Sequence, residues 1–201
     1  MGRVVAALLL SAVALSFAPA VGTASAQAFM PLGGRTSQPV GHYELCQRAP
    51  AECKQVSQKR RPVELTRDLW KVLIDVNNAV NTMYAPRTDL EMWGREEYWS
   101  YPVNGFADCE DYALEKRRML AQAGVPVGNL LMTVVRQTNG EGHAVLTVRT
   151  SLGDFILDNL EPKVLAWQDT DYQYLKRQSE LNSGAWISIE DDRQMLVGSV
   201  K

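Results

Sequence analysis

Cys109, His143 and Asp158 are the side chains whose types and order could carry covalent acyl chemistry in this chain. A thiol can attack a carbonyl carbon once a base takes its proton. An imidazole can take and return that proton near neutral pH, and a carboxylate can fix which ring nitrogen holds it. Such groups are scarce here, with three cysteines and two histidines in the whole chain. Cys46 and Cys53 flank Ala49-Pro50 and would form a small disulfide loop in an exported protein. A half-zinc site is the competing reading of that pair, although no second CxxC or HxxxH motif lies nearby. Cys109 is then the remaining thiol. His143 is the histidine of the expected core, because His42 falls in an irregular lead-in.

Placement adds to residue type. Cys109 is expected as the first residue of a helix running to about Ala123, with Asp108 at the N-cap and Gly124 and Pro126 closing it. A helix N-terminus favours thiolate and can bring a thiol pKa of about 8.5 down to roughly 3.5–7.5. His143 opens a strand after the turn Asn139-Gly140-Glu141-Gly142, and Asp158 closes the next one. A hairpin centred near residues 150–151 would set the two opposite each other on one sheet face. Taken singly, a core cysteine, a turn histidine and a strand-end aspartate are ordinary; their joint placement favours catalysis.

Asp108, Glu110 and Asp111 crowd the thiol, and negative charge opposes thiolate formation. One resolution is a bound cation, since calcium takes carboxylate oxygens and would offset that field. Plain stabilisation of a helix N-terminus by acidic residues explains the same spacing without a metal.

The elements that must position these groups follow from hydrophobic period. Thr66 can cap a helix running to about Met83, with Leu69, Val72, Leu73, Val76, Val80 and Met83 on one face; it reads as a core helix without a functional role. Residues 84–107 lack periodicity but hold Tyr84, Trp93, Tyr98, Trp99, Tyr101 and Phe106. Such a segment often packs over a cleft, with Trp99 and Tyr101 its expected walls. Strands are expected at 129–137, 143–149 and 155–158, then a short helix through 170–181 and a last strand near 186–189. Two helices followed by an antiparallel meander make an α+β domain.

Met1-Gly2-Arg3, the apolar run from Val4 to Ala18, and Ala24-Ser25-Ala26 read as a secretory signal peptide over residues 1–26, cleaved after Ala26. An uncleaved anchor is the alternative. An extended lead-in over 27–42 and one domain over 43–201 follow. Export implies an oxidising compartment, the periplasm in a Gram-negative bacterium. No other stretch approaches about 18 apolar residues, so the mature chain should not be membrane-embedded. The formal charge of -2 becomes -3 once the leader and its Arg3 are removed. That balance argues against a nucleic-acid partner, which calls for a basic stripe.

Tyr98-Trp99-x-x-Pro102, Gly105-Phe106-Ala107-Asp108-Cys109-Glu110-Asp111-Tyr112-Ala113, Gly142-His143-Ala144-Val145-Leu146 and Leu157-Asp158-Asn159 together resemble the bacterial transglutaminase-like cysteine proteinases over about residues 43–190. That family includes periplasmic proteases that clip large biofilm adhesins. The resemblance implies a papain-like, transglutaminase-like core with the nucleophile helix packed on the meander. It also implies a Cys109–His143–Asp158 triad, calcium near Asp108 and Glu110, and a protein or peptide substrate such as a surface adhesin. Adhesin-clipping relatives are inhibited by a cyclic-nucleotide-sensing membrane receptor, a further partner that the resemblance brings. One departure is Ala107, where the family has glycine; its methyl group restricts the loop before the nucleophile. Two other readings remain open: acyl transfer to an amine through the same acyl-enzyme, and a non-catalytic binding module on the same fold.

Overall fold

A computed structural model describes residues 28–58 and 61–193. The expected signal peptide at 1–26 lies outside the described residues. The first elements among the described residues are β1 (Leu32–Thr36), α1 (Val40–Arg48) and the short α2 (Pro50–Cys53). Thr66 Oγ1 accepts the Leu69 N–H and starts α3 (Arg67–Met83), whose apolar face buries Leu73, Val76 and Val80. Then come β2 (Ala85–Pro86), α4 (Asp89–Trp93), β3 (Phe106–Ala107) and α5 (Cys109–Gln122). The second half is strand-rich: β4 (Leu130–Arg136), β5 (Gly142–Thr150), β6 (Gly153–Leu157), β7 (Leu165–Ala166), β8 (Gln173–Gln178) and β9 (Trp186–Ile189).

Seven strands form one antiparallel sheet in the order β1-β9-β8-β4-β5-β6-β7. α3 and α5 pack together, and α5 lies on β4 and β5. Leu73, Val80 and Leu120 from these helices meet Leu130, Met132, Leu146, Val148 and Leu157 from the sheet in the main core. A second, smaller core of Met30, Val135, Val145, Ile156, Trp167, Tyr174 and Ile189 covers the other face. Alternation along each strand supplies both sets. The protein is thus an α+β domain with the α5 helix packed on an antiparallel sheet. No helix among the described residues is long and apolar enough to cross a membrane.

Two expectations fail here. The helix expected over 170–181 is largely strand: β8 pairs with β4 on one side and β9 on the other. Gln, Leu, Lys and Arg favour helix, but a position between two strands overrides so weak a preference. The irregular lead-in is also ordered, because β1 pairs with β9 and α1 already begins at Val40. His42 on α1 is buried against the rings of Trp99 and Trp186. Burial, then the charge of Arg117, lowers its pKa to about 4, so it is a neutral core imidazole.

Cys46 and Cys53 are disulfide-bonded, with Cα atoms 5.5 Å apart, and both sulfurs lie beside the His42 ring. The bond ties α1 to α2, and Glu52 on α2 pairs with buried Arg117 on α5. Replacing both cysteines by alanine should cost about 2.5 kcal/mol in urea unfolding, the loop-closure value for so short a loop. A loss below about 0.5 kcal/mol would show that packing around His42 holds this corner without the crosslink.

Candidate active site

Cys109 is the first residue of α5, so its N–H and those after it lack helical partners and point out of the helix end. His143 sits at the start of β5, and Asp158 follows the last residue of β6. The β5–β6 hairpin turns at Ser151–Leu152, with Thr150 paired to Gly153 and Leu146 to Leu157. Asp158 therefore lies diagonal to His143, rather than opposite as the sequence spacing suggests, and still on the same face. His143 Nε2 and Asp158 Oδ1 are 2.8 Å apart, and both residues are buried. The backbone N–H of Ala144, next to His143, points at Cys109 Sγ. His143 and Asp158 are thus paired through Nε2, with the ring's Nδ1 not engaged by Asp158, and the backbone next to His143 reaches the Cys109 sulfur.

α3 helps to fix the carboxylate. Asn81 Nδ2 donates to the Asp158 carbonyl at 2.8 Å, and Asn77 Nδ2 donates to the Pro162 carbonyl at 3.0 Å. Sequence reasoning assigned this helix no role, since one asparagine in an amphipathic helix carries no signal of its distant partner. The Asp158 carboxylate accepts from His143, the Leu160 N–H and the Tyr172 hydroxyl. Burial pushes its pKa upward, but these hydrogen bonds and the imidazole charge outweigh it and hold the group below the usual carboxylate range. Lys116, two turns along α5 from Cys109, is fully buried, and its Nζ has no hydrogen-bond partner among the described residues. Burial lowers it to about 7 against the opposing field of Asp158.

Charge at the nucleophile differs from the helix-end expectation. Cys109 Sγ donates to Glu110 Oε2 at 3.1 Å. Burial, then Glu110, then Asp108 push the thiol well above its ordinary pKa, and only the Ala144 N–H pulls the other way. Asp108 occupies the N-cap position, yet its side chain makes no cap hydrogen bond. It instead turns toward Asp89 and Asp111, and the ligand atoms of these three lie within 4.8 Å of one another. Burial, then Asp89, raises Asp108 to about 7; burial, then Asp108, raises Asp111 to about 8.

Oxygens Asp89 Oδ1 and Asp108 Oδ1 are buried without a hydrogen-bond partner. Converging hard carboxylates with free lone pairs fit a calcium ion. Of the two residues expected as ligands, Asp108 joins this set, whereas the Glu110 carboxylate is turned to the thiol. Asp89 lies far from the DCED run in sequence, and only the capping box of Thr88 and Glu91 marks the start of its helix.

The expected cleft walls also move. Trp99 is 2% exposed and packs inward against His42 and Trp186. Tyr101 lines a depression of about 310 Å³ with Glu52, Arg117 and Arg118, beside the later turns of α5. Leu160, two residues past Asp158, is exposed, and so is Trp93, whose ring lies 4.8 Å from that of Tyr98 with the planes inclined by 44°.

The family model for bacterial transglutaminase-like cysteine proteinases matches residues 32–194. Comparison with curated proteins returns no match. Among solved structures, calcium-bound LapG of Legionella pneumophila is 26% identical, with a TM-score of 0.51 over 68% of this chain and 74% of that one. EGTA-treated LapG from the same organism is 29% identical, with a TM-score of 0.50 over 61% and 71%.

The raised pKa values have a stability consequence. A carboxylate that binds its proton more tightly folded than unfolded stabilises the fold below its unfolded pKa near 4, and that stability is lost as pH rises through 7 to 8. In chelator, Asp89→Asn should therefore be more stable than wild type at pH 8 by roughly 1–3 kcal/mol, with the gap closing by pH 5. Equal melting of the two proteins at pH 8 would mean that the carboxylates do not repel in the fold.

Proposed function

The chain belongs to the bacterial transglutaminase-like cysteine proteinases and is a cysteine peptidase of that type, and from that premise we propose that it is a periplasmic endopeptidase cutting an extended segment of a secreted or surface protein, such as an adhesin. The observation that carries this reading is the buried His143–Asp158 pair, 2.8 Å apart, one residue from the N–H that faces the Cys109 sulfur.

The chemistry follows from these atoms. Asp158 Oδ1 accepts Nε2–H, which leaves the lone pair on Nδ1 as the base. Sγ forms a bond to the scissile carbonyl carbon while its proton passes to Nδ1, and the carbonyl π pair moves to oxygen. The Cys109 N–H, free at the helix end, stabilises that oxyanion. Collapse breaks the C–N bond, and the leaving amine takes the proton from Nδ1. Water then loses a proton to Nδ1, attacks the thioester and releases the new carboxyl terminus with the thiol restored.

Asp89, Asp108 and Asp111 would hold calcium here, and the orphaned Asp89 and Asp108 oxygens support that assignment. Bound there, the ion supplies positive charge beside a thiol that neighbouring carboxylates keep protonated. Asp89 also accepts the Tyr98 N–H, and Asp111 accepts the Ser100 N–H and hydroxyl, so the same carboxylates hold the 98–100 loop near Cys109.

Two outcomes test the reading. Purified protein should generate new amino termini in a surface-protein extract, and Cys109→Ala should abolish them while leaving the melting temperature within a few degrees. Cleavage by Cys109→Ala at the wild-type rate would remove the thiol from the mechanism. EGTA should reduce iodoacetamide labelling of Cys109 at pH 7 by about tenfold or more, and calcium should restore it. Labelling indifferent to both would remove the ion from the account.

A further inference from the structure

Asp158 has two carboxylate oxygens and could rotate either of them toward His143. Oδ1 is taken by His143 Nε2 at 2.8 Å and the Leu160 N–H at 3.0 Å. Oδ2 is taken by the Tyr172 hydroxyl at 2.5 Å. The Tyr172 ring lies against the imidazole, with centroids 5.5 Å apart and planes inclined by 55°. Tyr172 stands just before β8, the strand whose place in the sheet is fixed by pairing with β4 and β9. A residue at the start of that interior strand therefore touches both members of the His143–Asp158 pair.

Resting on the triad reading above, we infer that Tyr172 is a positioning residue for the reaction: its hydroxyl locks Asp158 in the rotamer that presents Oδ1 to Nε2, and its ring packs against the imidazole, so that Nδ1 stays the nitrogen left for the thiol. The hydroxyl donates and takes no proton in the reaction. Burial and the adjacent Asp158 carboxylate push the phenol well above its ordinary pKa, in keeping with a permanent donor. The same ring faces outward onto a depression of about 300 Å³ lined by Thr138, Leu160, Glu161, Leu165 and Asp171. An unlocked carboxylate would let the imidazole exchange tautomers, and the form with its proton on Nδ1 cannot act as base toward the thiol.

The chain has two histidines, so protein labelled with 15N-histidine gives two imidazole spin systems, and His42, which does not touch Tyr172, serves as internal reference. Wild-type His143 should show a single tautomer carrying its proton on Nε2. Tyr172→Phe keeps the ring and removes the donor. It should show mixed tautomers at His143, an unchanged His42, and kcat for peptide cleavage lower by roughly ten- to a hundredfold with KM nearly constant. The wild-type tautomer and a kcat within about twofold of wild type in Tyr172→Phe would overturn the inference. The tautomer spectrum needs no turnover. If Cys109→Ala proves as active as wild type, the peptidase mechanism falls while the spectrum still decides what Tyr172 does to the histidine.

Discussion

Repulsion among Asp89, Asp108 and Asp111 is the constraint around which the surroundings of the Cys109 thiol are built. Their ligand atoms converge within 4.8 Å in a largely buried place, an arrangement that a folded chain sustains only with protons or a cation present. These groups also do structural work. Asp89 begins α4, Asp108 precedes α5 and Asp111 lies in its first turn, while two of them bind the backbone of the 98–100 loop. Whatever neutralises the cluster therefore secures three chain segments at once and relieves the thiol of its negative surroundings.

The other half of the site is held by a different means. His143 and Asp158 stand at the ends of β5 and β6, and the turn at Ser151–Leu152 sets their diagonal relation. The strands carry fully buried residues on both faces, such as Leu146 toward the helices and Val145 away from them, so the register cannot slip without exposing one core. Asn77 and Asn81 then tie the segment after Asp158 to α3. The fold thus combines a thiol whose charge its neighbours can adjust with an imidazole whose orientation is set by packing.

How much of this is legible in sequence depends on the range of the interaction. α3 and α5 can be read because caps and a 3.6-residue period are local, and β4 to β6 can be read because alternation and turn residues are local too. β8 cannot, since its conformation is imposed by β4 and β9, and Gln173–Gln178 considered alone favours helix. The same division holds at the site. Cys109, His143 and Asp158 are conspicuous through scarcity and motif. Asp89, Asn81, Tyr172 and Lys116 act on them across gaps in the chain that no local pattern reports.

The thiol shows why a correct local reading can still mislead about charge. A helix N-terminus favours an anion by about 0.3–1 kcal/mol in ordinary settings. One carboxylate charge about 4 Å away at an effective dielectric near 20 opposes it by about 4 kcal/mol. Glu110 lies closer than that to Cys109 Sγ, and Asp108 precedes it in the chain. Burial, then Asp108, raises Glu110 itself well above the usual carboxylate range, so these carboxylates outweigh the helix end wherever they are ionised, and burial of the thiol opposes the thiolate in either case. A cation at the Asp89–Asp108–Asp111 cluster would offset the field of Asp108 while Glu110 stayed beside the sulfur, so the charge of this thiol depends on the whole acidic surround and not on the helix end alone.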